Sequence, residues 1–186
     1  MIKKPKIVRN LQDRFLSSKS KAGNTEAYTI FYRRYAKDIF KFLRFKVPAP
    51  ELAEDLTQEV FLKVWKYVSQ GRQIDNIRAL LYQTARNLAI DYYRRKKLIL
   101  FDEDEQKEIA SDENMQKEIE FKDDLQGVKV ALKKLKKEYQ EVIILRYVQE
   151  FSDKEIARVT DNRIGTVRVL MHRALKALKQ QLKGAI

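Results

Sequence analysis

Apolar residues recur every three or four positions along three stretches of the first hundred residues, the spacing that places them on one face of an α-helix. The first stretch, "EAYTIFYRRYAKDIFKFLRFKV", begins near Asn24 or Thr25. It ends at "VPAPE", because Pro48 and Pro50 disfavour helix at the residues before them. The stretches "ELAEDLTQEVFLKVWKYV" and "IRALLYQTARNLAIDYYRRKK" predict two more helices, on either side of the loop "VSQGRQIDN".

The three predicted helices each have an inner face that can pack against the other two. The residues expected to face inward are Ala27, Phe31, Tyr35, Ile39 and Phe42, then Leu52, Leu56, Val60, Val64 and Val68, then Leu80, Leu81, Thr84, Leu88 and Tyr92. Phe61 and Trp65 lie on a flank of the second helix. They are also expected in the core, which is the commoner place for large aromatic side chains.

The same spacing returns after residue 124. The stretch "LQGVKVALKKLKKEYQEVIILRYV" places Leu125, Val128, Leu132 and Leu135 on one face and continues into a dense apolar run over residues 139–148. A chain of short helices is therefore expected here, because apolar residues three or four apart share a face.

A short helix, a polar turn and a longer helix follow. In "FSDKEIARVT", Ser152 is a plausible N-cap and Glu155 stands three residues later, which is the spacing of a capping box. Residues 161–163 form the turn, and Gly165 and Thr166 open the last helix. Two short helices joined by such a turn are typical of helix-turn-helix proteins, whose second helix enters the major groove of DNA.

The last helix divides into an apolar face and a basic face. The apolar face consists of Val167, Met171, Ala174, Leu178 and Leu182, and the basic face of Arg168, His172, Arg173 and Lys176. Arginine bonds guanine bidentately, and Val169 can contact a thymine methyl group. A three-helix bundle with a solvated basic face explains the pattern alone slightly better, because charged outer faces are the default.

Charge is distributed in three blocks. The net charge is +13 overall; residues 1–101 carry +13, residues 102–124 carry −8 and residues 125–186 carry +8. An excess of this size indicates a polyanionic partner, nucleic acid or an acidic surface. The outer face of the second helix is an exception to this positive charge, because it carries Asp55, Gln58 and Glu59, followed by Lys63 and Lys66. That small acidic patch is unsuited to DNA and favours a protein partner with basic residues, although macrodipole and i, i+4 pairing also explain it.

The segment "SDKEIARVTDNRIGTVRVLMHRALKAL" resembles region 4 of sigma factors, which recognises the −35 promoter element, above all in the small extracytoplasmic-function group. "AEDLTQEVFLKVW" is similar to region 2.2, the helix that docks on the β′ clamp helices of RNA polymerase, and the third helix to regions 2.3 and 2.4, which capture the melted −10 element. The resemblance covers roughly residues 24–97 and 125–182 in the expected order.

The resemblance implies three sets of site residues. Polymerase contacts would be Asp55, Gln58, Glu59 and Lys63; −10 contacts would be Arg72, Asn76, Arg78, Arg86, Asn87, Arg94 and Arg95; −35 contacts would be Arg163, Thr166, Arg168, Val169, His172 and Arg173. Asn87 would hold a flipped-out base, in a pocket completed by the loop around Gly71, Arg72 and Asn76. The basic residues of the third helix, Arg78 and Arg86 among them, are expected to point outward, where they suit single-stranded DNA.

The expected fold is all-α, with two small helical domains joined by an acidic flexible linker. Residues 1–23 would be an N-terminal extension, 24–97 sigma region 2, 98–124 the linker and 125–186 sigma region 4, with no room for region 1.1 or region 3 and no further C-terminal domain. The linker is either a solubilising spacer or, by the resemblance, a segment that threads through the basic channels of the polymerase.

The expected function is that of a sigma factor, with core RNA polymerase (β′ clamp helices and β subunit), promoter DNA and an anti-sigma factor as partners. One alternative is a stand-alone helix-turn-helix regulator with an N-terminal sensing or dimerisation domain. Another is a helical adaptor for acidic proteins or RNA. With no cysteine, one histidine and no phosphate-binding or nucleophile motif, no cofactor, metal or enzymatic activity is expected. The N-terminus lacks an apolar signal segment, so a cytoplasmic protein without membrane insertion is expected.

Overall fold

The computed structural model describes residues 25–70, 74–102 and 126–183. The chain divides into two compact units, Met1–Lys117 and Glu118–Ile186. Every regular element in the described ranges is helical, and no strand occurs there. The all-α prediction is therefore confirmed. The proposed N-terminal extension, the loop at Gly71 and Arg72, and nearly all of the proposed linker lie outside the described residues.

The described residues of the first unit form three helices, α1 (Thr25–Arg44), α2 (Pro50–Ser69) and α3 (Ile77–Asp102), and each packs on the other two. Helix α1 begins where its sequence predicts, and two backbone bonds to the Leu43 carbonyl turn the chain before the prolines. Pro50 occupies the start of α2, where its missing N–H would have no helical partner. Helix α3 continues to Asp102, five residues past the predicted boundary at residue 97.

The core of this unit is rich in aromatic side chains. Phe31, Tyr35, Phe42, Phe61 and Tyr82 are buried, and the Phe31 and Phe61 rings meet edge to face with centroids 5.6 Å apart. Of the two aromatics expected in the core of α2, Phe61 is fully buried and Trp65 half-buried.

The inner face of α3 differs from its prediction. Leu81 and Leu88 are buried as predicted, together with Ile77, Arg78, Ala79, Tyr82, Ala85 and Ala89, whereas Leu80, Thr84 and Tyr92 are only half-buried. The hydroxyl of Thr84 donates to the Leu80 carbonyl at 2.8 Å, so its polar group is satisfied within the helix. The buried face of α3 therefore combines large side chains with alanines, which the apolar periodicity alone did not select.

The second unit contains α4 (Gln126–Lys133), α5 (Lys137–Ile143), a π-helical turn (Ile144–Val148), α6 (Asp153–Thr160) and α7 (Ile164–Lys183). Helices α4, α5 and α6 all pack on α7. The buried face of α7 is formed by Val167, Met171 and Ala174, with Leu178 and Leu182 half-buried beyond them. This is the apolar face that the sequence predicts.

A buried amide separates α4 from α5. The Gln140 side-chain nitrogen donates to the carbonyls of Lys133 at 3.0 Å and Leu135 at 2.7 Å. Carbonyls at a helix end have no partner inside the helix, so a buried end requires one from elsewhere. Gln140 supplies it, and the chain breaks here without a proline or glycine.

The helix-turn-helix prediction is confirmed in its local detail. The Ser152 hydroxyl accepts from the Glu155 backbone N–H, and the Glu155 carboxylate accepts from the Ser152 backbone N–H at 2.7 Å, which completes the capping box. Asp161 ends α6 in the left-handed conformation with φ 54°. Aspartate tolerates this conformation better than most residues, and the turn is thereby tight enough to begin α7 at Ile164.

Candidate DNA and polymerase interfaces

The outer face of α2 carries the acidic patch. Asp55, Gln58 and Lys63 are exposed, Glu59 is half-buried, and the Glu59 carboxylate lies 2.9 Å from the Lys63 ammonium group. Positions 55, 58, 59 and 62 follow the i, i+3, i+4, i+7 rule, so their side chains form one stripe along the helix. These four side chains, Asp55, Gln58, Glu59 and Leu62, are hereafter called the α2 stripe.

Leu62 is the member of the α2 stripe that sequence reasoning missed. Its exposed fraction of 64% is the largest of any large hydrophobic residue in the described part of the chain. The signal was present in the sequence, because Leu62 falls outside the buried phase set by Val60, Phe61 and Val64. An apolar side chain surrounded by polar ones resembles the centre and rim of a protein–protein interface.

Aromatic contacts between α1 and α2 border the α2 stripe. The Tyr28 and Trp65 rings meet edge to face with centroids 4.8 Å apart, and Tyr32 packs on Phe61 at 4.7 Å. Burial raises the pKa of the Tyr28 hydroxyl above its usual value, and the neighbouring Tyr32 adds to the rise. Trp65, one helical turn after Leu62, is therefore packed against Tyr28 at the border of the α2 stripe.

The residues predicted to bind the −10 element fall into two groups, and the first is built into the fold. The Asn76 side-chain carbonyl accepts from the Ala79 N–H at 2.9 Å and so caps the start of α3. Arg78 is buried, with its guanidinium 5.8 Å from the centre of the Tyr82 ring. The expectation that Arg78 points outward is wrong. Its long apolar stem suits the interface between helices, and the charge rests over an aromatic face.

The second group is accessible. Asn87, Arg94 and Arg95 are exposed and Arg86 is half-buried. Asn87 and Arg94 share one side of α3 with Ile90, which is 47% exposed and was not predicted as a site residue. Arg94 pairs with Asp91 at 3.3 Å, and the Tyr93 hydroxyl donates to the Lys46 carbonyl at 2.9 Å, which ties this end of α3 to the residues after α1.

The six residues predicted to bind the −35 element are all exposed. They are Arg163, Thr166, Arg168, Val169, His172 and Arg173. Five lie in the first three turns of α7 and the sixth directly precedes it, on the side away from the buried Val167 and Met171. Gly165 is also exposed there, and a Cβ atom built on it would meet nothing within 4 Å. Nothing in the fold of the described residues therefore requires a glycine at this position.

A carboxylate of α6 contacts this surface. Asp153 lies 2.9 Å from Arg146 of the π-helical turn through one oxygen and 3.3 Å from Arg168 of α7 through the other. Sequence patterns do not predict this contact, because Asp153 and Arg168 are fifteen residues apart and meet only when α6 and α7 pack.

The described residues show no group of three or more histidine, cysteine or acidic side chains placed to hold a metal ion. Across the same ranges, no helix is both long and apolar enough to cross a membrane.

Comparison with known proteins links both units to one family. Residues 31–99 match Sigma-70 region 2 and residues 125–178 match Sigma-70, region 4. The chain is 30% identical to the RNA polymerase sigma factor YlaC of Bacillus subtilis over 154 residues, which cover 81% of this chain and 89% of YlaC. It is 27% identical to the ECF RNA polymerase sigma factor BldN of Streptomyces coelicolor over 90% of this chain, a match that spans 64% of BldN.

A solved structure shows the same fold. The sigma factor RpoE of Bartonella quintana, crystallised in complex with the anti-sigma factor NepR, is similar with a TM-score of 0.67 and 25% identity. The match covers 84% of this chain and 96% of that one.

Proposed function

The chain belongs to the sigma-70 family of RNA polymerase sigma factors, in its extracytoplasmic-function group, and we propose that three of its exposed surfaces carry out promoter recognition. The protein is a sigma factor that directs promoter-specific transcription, with core RNA polymerase and promoter DNA as its partners. The proposed surfaces are the α2 stripe, the accessible side of α3 and the first turns of α7. The two domains that carry them are proposed to span residues 24–97 and 125–186.

The α2 stripe, together with the neighbouring exposed Lys63, is proposed to dock on core polymerase. The observation that carries this proposal is that a chain with net charge +13 exposes Asp55 and Glu59 around the uncovered Leu62. A nucleic-acid surface would repel these carboxylates, whereas a basic protein surface complements them. The alternative readings, a stand-alone regulator and a helical adaptor, leave this stripe without a purpose.

The accessible side of α3 is proposed to hold melted −10 DNA. Asn87 provides an amide that can both donate and accept hydrogen bonds, and Arg94 provides charge for phosphates. The exposed Ile90 between them offers an apolar surface for an unstacked base. Within the described residues, Asn76 and Arg78 support the start of α3, and direct contact is proposed for Arg86, Asn87, Arg94 and Arg95. Arg72, which lies outside the described residues, stays in the proposed −10 set.

The first turns of α7 are proposed to read the −35 duplex. Arg168 and Arg173 are the candidates for base or phosphate contacts, and the exposed Val169 for a thymine methyl group. Arg163, Thr166 and His172 are proposed to contact the backbone, since phosphate contacts position a helix in the groove.

Run-off transcription tests the function as a whole. Purified core polymerase is incubated with a genomic promoter pool, with and without this protein, and we expect new promoter-dependent transcripts only in its presence. If no new transcript appears, the assignment of promoter recognition to this chain is wrong, because the assay supplies core polymerase, promoter DNA and all three proposed surfaces of the chain.

Charge reversal tests the docking surface. Asp55→Lys should weaken binding to core polymerase without affecting the fold, because the side chain is exposed and such substitutions change stability by about 0.5 kcal/mol or less. Glu138→Lys, at an exposed carboxylate of the second unit, is the charge-matched control. Equal affinities of the two variants for core polymerase would contradict the docking assignment.

Asn87→Ala tests melting separately from binding. Removing a base from the stack costs a few kcal/mol, and contacts to the flipped base must offset that cost. The variant should dock on polymerase normally and open duplex promoters poorly, and a pre-melted −10 bubble should restore part of its activity. Permanganate footprinting of −10 thymines measures the opening. Opening equal to that of the parent would show that Asn87 holds no base.

An anti-sigma factor is proposed as a further partner. The RpoE relative is bound to NepR in its solved structure. By that likeness, an inhibitor protein would compete with core polymerase for this chain. A competition assay with purified core polymerase would detect it.

A further inference from the structure

Asp153 stands behind the surface proposed to read the −35 element. Its carboxylate is mostly buried, with 24% of the side chain exposed, and its two oxygens contact different arginines. One oxygen lies 2.9 Å from an Nη atom of Arg146, and the other accepts a hydrogen bond from the Nε of Arg168 at 3.3 Å. The carboxylate thus joins three elements: the π-helical turn, α6 and α7.

The carboxylate itself is held in place. The capping box of Ser152 and Glu155 fixes the backbone at the start of α6, and an acidic side chain in a first helical turn is favoured by the helix dipole. Arg146 is anchored independently, because its other Nη atom donates to the Phe151 carbonyl at 3.0 Å. Asp153 is consequently a fixed point against which a mobile side chain can be oriented.

Arg168 is the side chain that needs such orientation. It is 71% exposed, so the rest of the fold restricts it little. The hydrogen bond to Asp153 uses Nε and leaves both Nη groups free to bond outward. Those two groups are the pair that arginine presents to the O6 and N7 atoms of guanine. A guanidinium held in one plane favours a base in one position, whereas an unrestrained one can follow phosphates on any sequence.

We propose that Asp153 is a positioning residue that orients Arg168 for base reading, and so sets the sequence discrimination of the −35 contact. This inference rests on the proposed role of Arg168 in −35 recognition. The charge of Asp153 should affect general DNA affinity in the direction opposite to its effect on base discrimination. A carboxylate beside the DNA surface repels phosphates, and therefore Asp153 lowers affinity for DNA in general while it raises discrimination.

The opposite signs make the test specific. The complex of the full chain with core polymerase is challenged with duplexes that carry every single substitution in the best −35 sequence selected by the parent. A base contact of this kind discriminates by about 5- to 150-fold at one position. Asp153→Ala should lose most of that factor at the position where Arg168→Ala loses it, and bind the mismatched duplexes more tightly than the parent does. The double variant Asp153→Ala/Arg168→Ala should discriminate as well as Arg168→Ala alone, because Asp153 is proposed to act only through Arg168.

Two further variants exclude simpler explanations. Asp161→Asn removes an exposed negative charge from the adjacent turn, where asparagine tolerates the left-handed backbone, and it should strengthen binding to all duplexes by one common factor. Arg168→Lys keeps the charge but lacks the planar fork, so it should lose discrimination as Asp153→Ala does. If Asp153→Ala fails to fold, as judged by circular dichroism, Asp153→Leu repeats the test with a side chain of similar shape that has no hydrogen-bond acceptor.

Three outcomes would overturn the inference. If Asp153→Ala and Asp161→Asn each change the affinity for all duplexes by one common factor, Asp153 acts only through its charge. If Arg168→Ala loses discrimination at one position and Asp153→Ala retains it, positioning is refuted and the role of Arg168 stands. If Arg168→Ala itself discriminates like the parent, both the role of Arg168 and its positioning by Asp153 are wrong.

Discussion

Leu62→Ala tests whether the exposed leucine at the C-terminal end of the α2 stripe contributes to docking on a protein partner. Leu62 is 64% exposed in the free chain, so most of its side chain is available to be buried by a partner. Fully burying a leucine contributes about 1.5–3 kcal/mol, and about two thirds of that, roughly 1–2 kcal/mol, is available here. Because each 1.4 kcal/mol is a factor of ten in affinity, the variant should bind core polymerase about 5- to 30-fold more weakly.

A competition assay against labelled parent protein measures the affinity for core polymerase. Ile30→Ala is the matched control, since Ile30 is 46% exposed on α1 of the same unit. It stands two residues from both Tyr28 and Tyr32, which face α2, and two residues turn a helix of 3.6 residues per turn to its opposite side. The free energy of unfolding of both variants should lie within about 0.5 kcal/mol of that of the parent, because neither side chain is in the core.

The reasoning is refuted if Leu62→Ala binds core polymerase within about twofold of the Ile30→Ala control. The stripe would then act through its charges alone, and Leu62 would be an ordinary exposed hydrophobic residue of the kind that every protein surface carries. A loss of binding accompanied by a large loss of stability would also refute it, since an exposed side chain should not support the fold.

Three further substitutions test other parts of the structure. Glu150→Gly should raise the free energy of unfolding by about 0.5–1 kcal/mol, because relief of the left-handed backbone at φ 56° outweighs the greater freedom of glycine in the unfolded chain; a lower midpoint in urea would contradict this. Gln140→Ala should cost about 1–3 kcal/mol, since it leaves the buried Leu135 carbonyl and the partly buried Lys133 carbonyl without this donor, and thermal unfolding measures the loss. Gly165→Ala should stabilise α7 by up to about 1 kcal/mol yet weaken −35 binding, because its open space suits a close approach of DNA; unchanged binding would refute that approach.

The sequence predicted the features that depend on neighbouring residues. Helical periodicity located α1, α2, α3 and α7, and the spacing of Ser152 and Glu155 identified a capping box that the structure contains. Both features follow from contacts between residues three or four positions apart.

The features that sequence reasoning missed depend on tertiary packing. Arg78 was counted as polar, but its stem packs inside the first unit with its charge near Tyr82. Leu62 was not singled out from the sequence, and in the structure it is the most exposed large hydrophobic residue of the described ranges. The break between α4 and α5 has no proline or glycine to announce it, and depends on the amide of Gln140 reaching back to two carbonyls.

The charge of the protein explains why two kinds of surface are needed. A net charge of +13 attracts any DNA, and binding of that kind weakens steeply with salt without distinguishing sequences. Specificity therefore requires contacts that depend on geometry, such as the base contact proposed for Arg168 held by Asp153, or the proposed contact of the exposed Asn87 amide with a base after melting. Each such contact discriminates only modestly. Docking through the α2 stripe, as proposed, adds the further requirement that polymerase be present. Both proposed DNA surfaces belong to one chain, so a first contact raises the effective concentration of the second. The second contact nevertheless requires melted DNA, whose opening is proposed to take place in the complex with polymerase. On this reasoning the free chain should bind DNA weakly and with little preference, and the same side chains should become selective only on the polymerase.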